Sequence, residues 1–320
     1  MKKSSGAFPE LLQYKGKFAM HDIIIIGAGP AGLTAAIYAL RANKSVLVLE
    51  KESFGGQITY SPKVENYPGF NEISGSELGE KLVEQALNLG AEIELDTVTG
   101  IKNVGAYKIV QCEHGEFQGK AVIIAAGSHH RKLGLAREDE FTGNGVSYCA
   151  LCDGAFYKDR AIAVIGGGNT ALQDAVLLAD QCSRVTVIQN LGFCTGEKRL
   201  LEILKSKKNV DFIYNTVVEE LEGENELSSI MLRDLEQDKV SRFKVDGIFV
   251  AIGQQPENKA FESVCKLDEQ GFIISDESTL TTTSGIFAAG DCRTKKVRQV
   301  VTATGDGAVA AMNACRFVEG

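Results

Sequence analysis

The sequence predicts an α/β protein made of two Rossmann-like units, each doubly wound in three layers, with the second inserted into the first. Three observations carry that expectation. The apolar run 22–27 (Asp-Ile-Ile-Ile-Ile-Gly) leads directly into a glycine turn and then into Ala, Leu and Tyr at helical spacing. The same plan restarts at 161–166 with a second glycine turn. Two further apolar segments that end in glycine, 121–127 and 245–253, echo each other.

In chain order, 22–27 is a buried parallel strand, 30–43 a helix and 45–50 the next strand, which together make one βαβ unit. A helix near 76–89 stops at Gly90. Strand 121–127 closes the first stretch. The second copy runs through strand 161–166, helix 170–180, strand 184–189 and strand 245–253. The tail holds a strand-like 285–291 and a helix over about 305–317. These positions place one domain at 20–131 plus 254–320 and the inserted domain at 132–253. Residues 1–19 read as an extension with no assigned role.

Bulk properties narrow the function. The 320 residues carry a net charge of −8, which disfavours sequence-independent binding to nucleic acid or to an anionic membrane, since both need clustered basic charge. Apolar runs such as Ile23–Ile26 are too short to span a bilayer. Met1-Lys2-Lys3 is not followed by an apolar signal region, and eight cysteines are too few for a secreted disulfide framework, so a cytoplasmic location is expected. One CxxC pair without a second close pair of Cys or His predicts no metal site.

In the turn Gly27-Ala28-Gly29-Pro30-Ala31-Gly32, each glycine has a task. Gly27 allows the tight bend, Gly29 lets a pyrophosphate approach the backbone, and Gly32 lets helix and strand pack closely. The helix N-terminus offers free N–H groups and a positive dipole to phosphate. Glu50, eighteen residues beyond Gly32, is placed to accept from ribose hydroxyls. Cys149-Ala150-Leu151-Cys152 brings two sulfurs within disulfide reach, and Asp153 follows directly. Thiol–disulfide exchange needs a thiolate attacker and a proton for the leaving sulfur, which a neighbouring carboxyl can manage.

From Met20 onward the chain resembles the low-molecular-weight, bacterial-type flavin thioredoxin reductases. The matching motifs are Gly27–Gly32, Gly55-Gly56-Gln57, Val64-Glu65-Asn66-Tyr67-Pro68-Gly69, Cys149–Gly154, Gly290-Asp291 and Arg298-Gln299. The resemblance implies that Gly27, Gly29, Gly32 and Glu50 hold the ADP half of FAD. It places Gly56, Gln57 and Asn66 beside the isoalloxazine and ribityl, Asp291 on the ribityl chain and Gln299 by the flavin ring. Cys152 would face the flavin, Cys149 would attack the disulfide of thioredoxin, and Asp153 would donate the proton. The resemblance also implies a homodimer and an inserted domain that rotates.

The second turn departs from that family where NADPH is read. The family carries His-Arg-Arg-x-x-x-Arg after the strand equivalent to 184–189, because a 2′-phosphate needs cationic donors. Here the stretch is Gln189-Asn190-Leu191-Gly192-Phe193-Cys194-Thr195, with every basic position neutral. Lys198 and Arg199 fall in the following helix. The loss points to the ferredoxin-dependent flavin thioredoxin reductase branch, in which reduced ferredoxin supplies single electrons. Lys295, Lys296 and Arg298, or Arg131 with Lys132, are the candidate basic patch for an acidic ferredoxin. The alternatives are an NADH-preferring thioredoxin reductase that uses Gln189, a diflavin enzyme, and a non-enzymatic redox sensor.

Overall fold

The structure, a computed structural model, describes residues 20–61 and 63–320. The expected extension 1–19 lies outside the described residues. The chain opens with strand β1 (Met20–Ile26), helix α1 (Pro30–Arg41), β2 (Val46–Glu50), helix α2 (Gly75–Asn88) and β3 (Glu92–Leu95). Next comes the meander β4 (Val98–Val104), β5 (Tyr107–Cys112) and β6 (Glu116–Ile124). Ile23–Ile26 is sandwiched between Val46–Leu49 and Ala121–Ile124 in parallel register. Strands with both faces covered need no polar alternation, which explains the unbroken isoleucine run.

β7 (Ser128–His130) then leads to the short helix α3 (Glu138–Phe141), β8 (Val146–Ser147) and the single turn α4 (Ala150–Asp153). A second parallel sheet follows from β9 (Ala161–Ile165), helix α5 (Asn169–Ala179), β10 (Arg184–Ile188), helix α6 (Lys198–Ser206) and β11 (Val210–Ile213). An antiparallel trio, β12 (Thr216–Gly223), β13 (Leu227–Asp234) and β14 (Lys239–Lys244), precedes β15 (Gly247–Val250). The second sheet has the order β11-β10-β9-β15-β8.

β16 (Gln254–Pro256) returns the chain, pairing antiparallel with β7, and Arg131 N–H donates to Gly253 O at 3.0 Å. β17 (Ile286–Ala288) joins the first sheet beside β6, and helix α7 (Val300–Glu319) finishes the chain. α7 crosses α1 so closely that a Cβ on Gly307 would lie 2.1 Å from Ala31 O. Separate apolar clusters fill the two faces of the first, mixed sheet and of the second, parallel one.

Three expectations shift. The last helix starts at Val300, not near 305, because Gln299 and Thr302 form a reciprocal capping box ahead of β-branched residues that read as strand. Strand 285–291 stops at Ala288 and passes into a tight turn at Gly290–Cys292. Strand 245–253 is ordered as strand only over 247–250.

Candidate functional site

The first glycine turn is built as its spacing predicts. Gly27 sits at φ +104°, and a Cβ there would lie 2.4 Å from Ala125 O. A Cβ on Gly32 would lie 1.9 Å from Gly27 O, so helix and strand meet with no room for a methyl group. The loop at Gly55-Gly56 folds onto this turn: Gly55 N–H donates to Ala28 O at 2.9 Å, and a Cβ on Gly56 would lie 2.7 Å from Gly29 Cα. Gly29 and Gly56 thus form one backbone-lined cradle. Glu50 is buried at the end of β2. Its carboxylate accepts from Ala28 N–H at 2.7 Å, Lys51 N–H at 2.8 Å and Glu52 N–H at 3.0 Å.

The remaining predicted cofactor residues converge from distant segments. Asn66 Nδ2 donates to Gln299 Oε1 at 3.2 Å, across 233 residues of sequence. Gln57 is exposed beside the Gly55–Gly56 turn. Asp291 is desolvated, and its carboxyl is pushed up to about 6 by burial. Its Oδ1 is buried without a hydrogen-bond partner among the described residues. An orphaned buried acceptor costs free energy unless a donor meets it, and the hydroxyls of a ribityl chain are such donors. The cradle, the Asn66–Gln299 pair and this orphan fit FAD.

A buried ion cluster, not anticipated from sequence, fixes the Asp291 turn. Asp306 on α7 accepts from Gly290 N–H at 2.9 Å, Arg293 Nε at 2.8 Å and Lys295 Nζ at 2.9 Å through Oδ2, and from Arg293 Nη2 at 2.9 Å through Oδ1. Such a cluster holds its geometry because breaking one partner strands the other charges. It also removes Lys295 from the expected basic patch: the lysine side chain is 5% exposed and turned inward to Asp306. Arg298 stacks over the Phe272 ring at 4.2 Å, and Lys132 pairs with Asp139 at 2.5 Å. Only Lys296 and Arg131 of that set stay exposed without an ion-pair partner among the described residues.

Cys149 and Cys152 form a disulfide, with Cα atoms 5.3 Å apart. Cys149 caps α4, accepting Cys152 N–H on its sulfur at 3.2 Å. Asp153 is desolvated, which raises its carboxyl above the usual range, and Ser147 Oγ donates to its Oδ2 at 2.6 Å. Ser147 Oγ also accepts Cys149 N–H at 3.1 Å. Ser147 therefore ties the acid to the dithiol turn; it sits two residues before Cys149, but an isolated serine carries no sequence signal.

The second glycine turn keeps the backbone of the first and changes its surroundings. Gly166 has φ +129°, and a Cβ there would lie 2.5 Å from Ala251 O. Gln189 is buried and folds back over Gly167, where a Cβ would lie 2.6 Å from Gln189 Nε2. Its amide is used internally: Nε2 donates to Phe193 O at 3.4 Å, and Oε1 accepts Asn190 N–H at 3.2 Å. Thr195 and Gly196 N–H groups both donate to Gly167 O. Asn190, Leu191 and Thr195, all exposed and neutral, stand where the cations would be, and Phe193 between them is exposed as well. Among the described residues no group of His, Cys, Asp or Glu is placed to hold a metal, and no helix is long and apolar enough to cross a membrane.

A family model described as pyridine nucleotide-disulphide oxidoreductase matches residues 21–307. The thioredoxin reductase of Bacillus subtilis is 42% identical over 301 residues, covering 94% of this chain and 95% of that protein. Among solved structures, the thioredoxin reductase of Streptococcus pyogenes superposes with a TM-score of 0.90 at 39% identity, covering 94% of this chain and 99% of that one. A ferredoxin-flavin thioredoxin reductase from Clostridium acetobutylicum is 26% identical, with a TM-score of 0.52, covering 94% of this chain and 98% of that one.

Proposed function

This chain belongs to the pyridine nucleotide-disulphide oxidoreductase family, among the bacterial-type thioredoxin reductases, and on that premise we propose that it reduces thioredoxin with electrons from reduced ferredoxin rather than from NADPH. Its family binds FAD, and its fold is the mixed α/β fold of Rossmann-like FAD and NAD(P) units. We assign residues 20–131 and 254–320 to the FAD unit and 132–253 to the inserted one. Gly27, Gly29, Gly32 and Glu50 would hold the ADP half; Gly56, Gln57, Asn66, Asp291 and Gln299 would hold the ribityl and ring. When bound, FAD supplies a carrier that accepts electrons singly and delivers them in pairs to a disulfide.

The protein's own residues handle the sulfur chemistry. Cys149, as thiolate, attacks one sulfur of the thioredoxin disulfide; Asp153 delivers a proton to the sulfur that leaves; Cys152 then displaces the second sulfur and restores the Cys149–Cys152 bond. Ser147 holds Asp153 and the Cys149 backbone in one register. The partner is a thioredoxin, and the active form is a homodimer in the cytoplasm.

One observation carries the donor assignment: Gln189 lies over Gly167 with its amide internally bonded, in a stretch that presents Asn190, Leu191 and Thr195 instead of cations. Each charge-assisted bond lost to a 2′-phosphate forfeits about 1.5–3 kcal/mol. The test is thioredoxin reduction by FAD-loaded protein, counted as free thiols, with photoreduced ferredoxin, NADPH and NADH supplied separately. Ferredoxin-driven turnover that disappears in Cys149→Ser is the expected result. Comparable turnover with NADPH or NADH overturns the donor assignment; no turnover with any donor overturns thioredoxin reduction.

A further inference from the structure

Behind the dithiol turn lies a cavity of about 180 Å³, bounded by β8, the Gly154–Tyr157 turn, the β12–β13 connection and the residue leading into β15. We propose that it is a water-filled proton inlet that recharges Asp153 through walls that include neither cysteine; the proposal rests on the disulfide-reductase reading above. At about 30 Å³ per water, the volume holds several molecules, and its polar lining gives them partners.

The inner end is the Asp153 carboxyl with the Ser147 hydroxyl bonded to it at 2.6 Å. Tyr157 follows, buried and still protonated at neutral pH, since burial and the nearby Asp153 carboxylate push its hydroxyl up to about 12. The outer end is exposed and charged: Arg160 from the same turn, Glu226 before β13 and Asp246 before β15, with Asn144 at the rim. Asp246 is committed to the fold through Ala161 N–H at 2.8 Å. Glu226 and Asn144 make no side-chain hydrogen bond among the described residues, so they line the mouth without holding it together.

The stoichiometry gives this route a task. Conversion of the Cys149–Cys152 disulfide to two thiols consumes two electrons and two protons. A one-electron donor brings electrons without hydride, so both protons come from water. The dithiol turn presents an exposed Leu151 on its outer side, the side a partner protein would cover. The inlet is the route by which Asp153 exchanges protons with solvent, whether or not that side is covered. The desolvated carboxyl is the right relay, because its raised pKa lets it hold a proton nearer neutrality than an exposed aspartate does.

The experiment uses FAD-loaded, full-length protein and the reduced methyl viologen radical as electron source, so neither ferredoxin nor thioredoxin is involved. Flavin bleaching is followed by stopped flow, and dithiol formation by rapid quench with a maleimide, in H₂O and D₂O. Asn144→Phe and Glu226→Trp each fill the mouth; Asn144→Ser leaves it open. The expected result is dithiol formation slowed about tenfold in both filled variants, within the range set by general acid catalysis, with a larger solvent isotope effect and unchanged flavin bleaching. Asn144→Ser matches the wild type. Dithiol formation at the wild-type rate and isotope effect in both filled variants overturns the inlet while leaving the reductase reading intact. A wild-type protein whose disulfide never opens sinks the reductase reading and the inlet with it.

Discussion

The two glycine turns share a backbone and differ in the residue that ends the following strand. After the first, Glu50 sits buried with its carboxylate held by the Ala28 N–H of the turn and by the Lys51 and Glu52 N–H groups that follow β2. After the second, Gln189 is equally buried, but its amide folds across Gly167 and bonds its own loop. The closeness of helix to strand also differs. Gly32 has no space for a methyl group, whereas the equivalent position of the second copy is Ala171. A glycine turn between strand and helix is thus a property of the fold; what it binds is decided by the charge and direction of a few side chains around it.

The largest expected effect comes from making the second turn resemble a nucleotide reader. Asn190→Arg, Leu191→Arg and Thr195→Arg together restore the three missing cations. They raise NADPH affinity by at least about 10²-fold, given roughly 1.5–3 kcal/mol per charge-assisted bond. Stopped-flow reduction of the flavin by NADPH reads this out. No gain would mean that Gln189 and its loop, rather than missing charge, close the site.

Next is the orphaned carboxyl on the first side. Burial raises Asp291 from an ordinary 3.8 to about 6 in the folded, flavin-free protein. Between those values the folded state binds more protons than the unfolded one. Stability therefore falls as pH rises from about 4 to about 6, and the loss persists above that window. Asp291→Asn recovers about 2–3 kcal/mol at pH 7 in flavin-free protein and flattens the pH dependence. It also weakens FAD binding. Thermal unfolding with and without FAD measures both; equal loss of stability in the two forms contradicts a ligand-directed role.

Gly32→Ala and Gly168→Ala probe the two turns at different positions, since Gly168 corresponds to Gly29 and the counterpart of Gly32 is already Ala171. The first forces a methyl group into Gly27 O and costs about 1–3 kcal/mol with loss of bound flavin. The second meets nothing nearer than Thr195 Oγ1 at 3.9 Å and leaves the melting temperature within error. The smallest effect on flavin binding is Glu50→Gln, which weakens FAD about tenfold, the loss of a single charge-assisted bond of about 1.5 kcal/mol. Flavin fluorescence on titration gives the constant. An unchanged value would assign Glu50 to loop geometry alone.

Much of this was readable in the sequence for physical reasons. Isoleucine runs without polar alternation mark doubly covered strands, and a glycine turn between strand and helix leaves few other readings. The CxxC spacing announces the disulfide, and the loss of cations after β10 is visible residue by residue. What stayed hidden depends on tertiary approach. Lys295 looked like free surface charge because nothing local reveals that Asp306, eleven residues on, takes it inward with Arg293. The antiparallel β12–β14 trio and the Val300 start of α7 were obscured by charged or β-branched residues whose partners lie elsewhere. Ser147 became visible only when its hydroxyl was placed between Asp153 and Cys149.

The most direct test of the contrast between the two turns is the visible flavin band of the oxidised, FAD-loaded protein, followed anaerobically as NADPH, NADH and photoreduced ferredoxin are added in turn. Bleaching with ferredoxin alone is the predicted result. Bleaching by either nicotinamide at a rate near turnover would contradict it, because the loop folded over Gly167 would then still admit a pyridine nucleotide.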